Sequence, residues 1–397
     1  MGTVLLELVK GLGYIFIHPL TYVAVAFCVL LGYVRVKQER KHFHVRAHDG
    51  WFEFREFFTP ISIGAGVILS AVLLLLGPVL PLSWLLVTTS VMLLTVLSFR
   101  YEIASMAYVV PFAALMIYTL NQGVISNLPS WLEVSEGTTV YWTALFGLMS
   151  ILLLVEGILI RSKASKATSP RTIVSKRGQV VGVHHSKRLW FLPLIFLVPT
   201  GPISDSTWWP IIHLGETAFH IVGVPLVLGF HKKIKARYAK EAINFIGKQL
   251  VALSILAIGL VPVAYFLPVT VPYLFGLIVA LRLILQYGHF KIEQTKPFFY
   301  TKKMKGLQVL GVVPNSPADK MEIVPGEVLS KVNGIPVKNE RELYEAIQKN
   351  AAHCKIEVFD LNGEIRKVQR ALYEGEHHQL GVFVLEETKS YSNAEVS

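Results

Sequence analysis

Charge is scarce in this chain. Only 16% of its 397 residues are Asp, Glu, Lys or Arg, 53% are apolar, and mean hydropathy is +0.50. That balance excludes an ordinary soluble domain and places the chain in the membrane class. Acids are the scarcer sign, 27 against 38 Lys and Arg, for a net charge of +11. The bases sit between apolar runs rather than in an aromatic-interleaved patch, which argues against nucleic acid as a partner. Cysteine is almost absent. Cys28 and Cys354 are the two present, and neither has a partner at metal-ligand spacing. A disulfide framework is therefore excluded, and the segment carrying Cys354 suits a reducing compartment. The start, MGTVLLELVKGLGYIF, has no basic n-region and no small-residue cleavage site, so it does not read as a cleaved signal. MGTVLLE also lacks the Ser or Thr that a myristoylation signal carries at its sixth position.

Catalytic signatures are missing too. No HExxH, GNSGG or GxxxxGK[ST] occurs, which argues against zinc proteolysis, serine proteolysis of that type and P-loop chemistry. Gly201-Pro-Ile-Ser204-Asp205 has no general base in its context. The nearest approach to a metal site is His213-Leu-Gly-Glu216-Thr-Ala-Phe-His220. On a helix, that spacing puts His213, Glu216 and His220 on one face, as weak metal candidates or as a polar stripe pairing helices. No cofactor is expected.

What is present is a series of apolar runs. A bilayer core needs roughly 20 apolar residues per helix. The candidate helical spans are Tyr14–Val34, Thr59–Leu76, Leu82–Phe99, Ile103–Leu120, Tyr141–Ile160, Leu189–Ile203, Trp209–Phe230, Leu250–Leu267 and Val271–Tyr287. Merging a short pair into a re-entrant hairpin reduces nine to seven. Alternate loops carry the bases: Arg35 to Arg46, Arg161 to Arg188, Lys232 to Lys240 and Lys291 to Lys305. The loops 77–81, 121–140 and 204–208 have no Lys or Arg, and the connection at 267–270 is uncharged. The positive-inside rule then puts the N-terminus outside and the C-terminal end in the cytoplasm. The basic loops 35–46 and 161–188 double as candidate docking or lipid-contact surfaces. Arg282 and Glu156 lie near span ends, close enough for Arg282 to snorkel.

The composition changes after Tyr287. Residues 288–305 form a basic linker able to lie on anionic lipid. Residues 306–387 read as a compact soluble unit. GLQVLGVV alternates as a strand, and Ser316-Pro317 opens a short helix. Asn333-Gly334 turns a hairpin between EVLSKV and IPV. Asn339 with Glu342 offers a capping box for ERELYEAIQKN. KIEVFDL and EIRKVQRAL pair across Asn362-Gly363, and HQLGVFVLE is a final strand. Residues 388–397 are polar and expected to be disordered. The fold class is thus a polytopic α-helical membrane protein plus a small α+β domain, a partly closed β-barrel with two helices.

Val313, Ser316-Pro317-Ala318, Gly326-Glu327-Val328-Leu329 and Val332-Asn333-Gly334 together resemble the PDZ domains of bacterial membrane and periplasmic proteins, though that family often has Asp where this chain has Glu327. The resemblance implies peptide binding by strand addition to a sheet edge. It places the carboxylate-receiving loop at Gln379, Leu380, Gly381, Val382 and Phe383, and the opposite wall at Leu343, Tyr344 and Ile347. At the end of the domain, that loop implies a circular permutation. The other reading makes Leu380, Val382 and Val384 plain core-strand residues. The whole plan of spans, HPLTY, GYVRVKQERKHFHVR, basic linker and PDZ end resembles the MinJ-like cell-division topology proteins of Firmicutes. That resemblance implies a membrane scaffold at septum and poles connecting a DivIVA-like polar protein to a MinD-like division inhibitor, with membrane lipids and other divisome proteins as further partners and self-association left open. An intramembrane protease with a regulatory PDZ domain and a transporter are the alternatives.

Overall fold

Most of the apolar runs fold into helices bounded by recognisable stops. The computed structural model describes residues 2–43, 49–119, 139–199, 210–214, 217–303, 305–350, 353–371 and 380–385. The membrane region contains α1 (Gly2–Ile17), α2 (Pro19–Phe43), α3 (Phe52–Phe57), α4 (Pro60–Leu76), α5 (Leu82–Leu97), α6 (Met106–Thr119), α7 (Thr139–Leu159), α8 (Ala239–Gly259), α9 (Val261–Phe266) and α10 (Val271–Thr295). α4 shows the logic. Pro60 fills its first turn, where no N–H is needed. Gly77 ends it at φ +68, its N–H bonded to the Leu73 carbonyl at 3.0 Å. Among the described residues, five stretches are long and apolar enough to cross a membrane: Pro19–Phe43, Phe52–Leu76, Tyr141–Ala164, Ala239–Phe266 and Pro268–Thr295. α5 and α6 are shorter apolar helices. The expected first span, Tyr14–Val34, is divided between α1 and α2.

Two expected spans are not helical. Leu189–Ile203 and Trp209–Phe230 fall largely in a sheet of β1 (Ser169–Val174), β2 (Val180–Pro199), β3 (Ile211–Leu214) and β4 (Thr217–Ile234), in the order β1-β2-β4-β3. Of the seven to nine helical spans expected, these two are strands over the described residues. β2 and β4 pair antiparallel from His184↔Ile234 to Pro199↔Phe219. At roughly 3.3 Å per residue, the ten apolar residues 189–198 extend ~33 Å, about a hydrocarbon core. As a helix they would cover only about 15 Å. Successive residues Trp190, Phe191 and Leu192, and Leu226, Val227 and Leu228 on the other strand, are buried, so both faces of the hairpin are packed.

A two-stranded ribbon leaves two rows of backbone groups that lipid cannot satisfy. Here helices and loops meet them. Ile195 donates its N–H to the Ser70 hydroxyl of α4 (3.0 Å), Leu197 accepts from Leu80 N–H (3.0 Å), and on β4 Ile221 and Gly229 donate to the carbonyls of Pro210 (3.2 Å) and Ala104 (3.4 Å). Pro193 stands opposite Pro225. In that pair the Pro193 nitrogen and carbonyl face Gly66, and proline has no N–H to leave unpaired. The approach is close: a Cβ on Gly66 would lie 2.5 Å from the Pro193 carbonyl oxygen.

The C-terminal unit comprises β5 (Leu307–Val312), α11 (Pro317–Lys320), β6 (Val328–Val332), β7 (Ile335–Pro336), α12 (Glu340–Gln348), β8 (His353–Phe359), β9 (Ile365–Ala371) and β10 (Val382–Val384). Its sheet runs β10-β5-β6-β8-β9, with β7 paired to β6. Asn333 at φ 49 and Gly334 at φ 82 make the tight turn. The Ser316 hydroxyl accepts from Asp319 N–H (3.3 Å), and Asn339 Oδ1 from Glu342 N–H (2.8 Å). The Glu342 carboxylate returns to Lys338 N–H (2.7 Å), one residue earlier than a capping box requires. Buried Glu327 binds Arg366 through both oxygens (3.0 and 2.8 Å) and accepts from Val324 N–H (2.9 Å), so the longer acid fastens β9 beneath the loop before β6.

Candidate peptide-binding edge

β10 is an edge strand. It pairs antiparallel with β5 through Val382↔Val312, Phe383↔Gly311 and Val384↔Val309, with a bulge between Phe383 and Val384. Its other side carries no strand among the described residues. The bulge divides its side chains. Leu380 and Val384 join Leu343 and Ile347 of α12 in one buried cluster, with Val382 packed on it, while Phe383 turns to the opposite face. The structure thus brings Leu380 and Val382 of the expected loop to the expected helix wall, but it turns Phe383 to the other face and sets Gly381 against Ser316; Gln379 lies outside the described residues. Leu343 and Ile347 are only 5% and 4% exposed, whereas Tyr344 is 42% exposed. The wall therefore presents Tyr344 to solvent and its aliphatic side chains to the core. Gly381 holds φ +81, and an added Cβ would collide with Ser316. Its carbonyl accepts from Val313 N–H (2.8 Å), and that of Leu380 from Ala318 N–H (3.0 Å). These bonds set the entry to β10 against the Ser316-Pro317-Ala318 turn.

The opposite face of β10 meets the membrane region, which no local sequence signal announces. Phe383 packs on Phe43 at the end of α2, ring centroids 4.7 Å apart. Tyr300, Leu310 and Leu385 complete the cluster. Gly182 of β2 donates to the Tyr300 carbonyl (2.9 Å), and the His184 ring lies 4.6 Å from that of Tyr300. Burial raises the Tyr300 phenol above its ordinary pKa. It also pushes the Cys354 thiol, within the domain core, up to about 11.

The residues weighed for membrane chemistry are arranged differently from the expectation. His213 is on β3 and His220 on β4, at positions paired with Ala218 and Ile211, so they share a hairpin rather than a helical face; Glu216 lies outside the described residues. His220 Nδ1 is 3.4 Å from the Pro210 carbonyl. Among the described residues no group of three His, Cys, Asp or Glu is placed to hold a metal. Arg282 does not snorkel. It is buried 3.8 Å from Glu156, whose other oxygen accepts from the Ser105 hydroxyl (2.9 Å) and Met106 N–H (3.0 Å). A second charged cluster ties α2, α3 and the sheet. Glu53 accepts from Arg35 (2.6 Å) and Arg188, while Arg35 also binds Glu39 (2.9 Å). All four are buried.

A PDZ domain family model matches residues 308–359. Over 387 residues, 97% of this chain and 96% of the relative, the sequence is 34% identical to "Cell division topological determinant MinJ" of Bacillus subtilis (strain 168). It is 24% identical over 404 residues, 98% of this chain and 99% of each relative, to "Probable cell division topological determinant MinJ" of Lacticaseibacillus paracasei and of Lacticaseibacillus casei (strain BD-II).

Proposed function

The chain belongs to the MinJ family of cell-division topological determinants, and from that premise we propose that it is a non-catalytic membrane scaffold, connecting a DivIVA-like polar protein to a MinD-like division inhibitor and so restricting septa near the poles. The observation that carries this reading is the edge strand β10 facing α12: a site built to add a strand, with main-chain groups for affinity and the neighbouring side chains for selection. One partner engages this edge through the main chain of residues 380–383, with Tyr344 as the exposed side chain of the wall and Leu343 and Ile347 supporting it from the core. The other engages the basic loops of the membrane region. The basic loops support a cytoplasmic PDZ domain, and the family name supports accumulation at septum and poles.

Deletion of residues 306–397 tests the reading. The truncated chain is expected to insert in the membrane but to leave a fluorescent MinD-like partner unlocalised, with minicells or filaments. Gly381→Val, which blocks the turn into β10, is expected to give the same phenotype in full-length protein. Normal partner localisation and septum placement in the deletion strain would remove the scaffold reading. Digestion of residues 306–397 by protease added outside intact cells would reverse the proposed orientation.

A further inference from the structure

A cavity of about 120 Å³ opens beside the charged cluster, between α2, the segment after α5, and strands β1 and β2. Its two walls differ in chemistry. On one side are Leu30, Val34 and Phe99, 39%, 37% and 47% exposed, where α2 presents apolar surface outward. On the other are Arg171, His185 and Lys187. The boundary coincides with the change in α2 from apolar residues to Arg35, Lys37 and Arg40. That is where a membrane-spanning helix leaves hydrocarbon for headgroups.

Among the described residues lining the cavity, Arg35, Arg171, Lys187 and Arg188 outnumber the acid Glu53. Arg35 and Arg188 are matched by Glu39 and Glu53. Arg171 and Lys187 add two further cations, and the register places Lys233 beside His185 on the same sheet face. The nearby acid Glu102 is engaged by Lys232 at 3.1 Å. Two polar atoms of the lining, His185 Nδ1 and Gln38 Oε1, are buried with no hydrogen-bond partner among the described residues. Such atoms are costly unless something satisfies them. An imidazole N–H suits a phosphate oxygen, and an amide oxygen suits a hydroxyl.

We propose that this cavity binds the headgroup of an anionic phospholipid, its phosphodiester against Arg171, His185 and Lys187 and its acyl chains along Leu30, Val34 and Phe99. A soluble phosphate ester shares the headgroup chemistry, but the exposed apolar wall favours a lipid. The site is separate from the β10 edge, so it stands or falls independently of the scaffold function.

The test uses full-length protein in phosphatidylcholine nanodiscs, with phosphatidylglycerol titrated in and bound lipid counted by native mass spectrometry. Arg171→Gln with Lys187→Gln is expected to weaken phosphatidylglycerol retention about 30-fold, from roughly fivefold per cation. Lys176→Gln with Arg177→Gln removes the same charge from the nearby turn and is expected to change retention less than about twofold. Equal loss in both pairs would reduce the effect to general surface charge and overturn the site. Arg171→Lys with Lys187→Arg keeps the charge and is expected to retain lipid, separating loss of the site from loss of fold. Saturation by glycerol 3-phosphate or inorganic phosphate as readily as by phosphatidylglycerol would overturn the lipid assignment.

Discussion

Replacing Glu53 with Gln tests whether the buried charges are held as a unit. Glu53 is 5% exposed and receives Arg35 and Arg188, themselves 6% and 1% exposed. Arg35 keeps Glu39, so the substitution leaves the Arg188 guanidinium with no bonded carboxylate, its acceptors being the neutral Gln amide oxygen and the carbonyls of Lys166 (2.9 Å), Ala167 (2.8 Å) and its neighbour Lys187 (3.3 Å). Removing one partner of a buried pair costs ~3–5 kcal/mol, and a single stranded charge puts the expected loss toward ~3 kcal/mol. Adding Arg188→Met restores neutrality. The double variant is expected to recover at least half of the loss, about 1.5 kcal/mol or more, and the cycle with Arg188→Met alone gives the coupling. Unfolding in nanodiscs, followed by tryptophan fluorescence, measures each corner of the cycle. A single-variant loss below about 1 kcal/mol, or additive losses, would mean that water reaches these charges and that they do not bind α2, α3 and β2 together.

Two further outcomes follow from packing. Gly66→Leu is expected to separate α4 from β2 and strip Ile195 of its acceptor, seen as poor yield of monodisperse protein, whereas Gly64→Leu, whose Cβ would meet nothing within 4 Å, is expected to be tolerated; equal behaviour would refute the close approach. The Cys354 thiol, held up to about 11, is protonated at pH 8 and is expected to resist iodoacetamide until denaturant opens the domain; peptide mapping that found it labelled as fast as an unfolded thiol would contradict its burial.

Much of the C-terminal domain was legible because its signals are local. Asn333-Gly334, Ser316-Pro317 and Asn339 each specify their own turn or cap within four residues. The β2–β4 hairpin was not legible in that way. Its apolar runs satisfy hydropathy as helices or as buried strands, and the deciding partners are more than twenty residues apart, Pro193 opposite Pro225 and Leu189 opposite Gly229. Hints were present: the 15-residue length of Leu189–Ile203, its prolines, and the β-branched run IVGV after His220. The candidate edge was half legible. The sequence left Leu380 and Val382 as either loop or core, and the bulge at Phe383 puts Leu380 and Val384 into the core while Phe383 leaves it. That Phe383 meets Phe43, 340 positions earlier, depends on how the domain seats against the membrane region, which no window of sequence encodes.

The facing prolines bear on life in a crowd. A protein gathered at one place in the membrane meets many copies of itself, and a bare hairpin is a template on which strands from neighbours could register. Pro193 and Pro225 interrupt both templates at the same level, since neither nitrogen carries a hydrogen to donate. Dense clustering and a strand-built membrane core thereby become compatible: copies can lie side by side without their hairpins joining into one sheet.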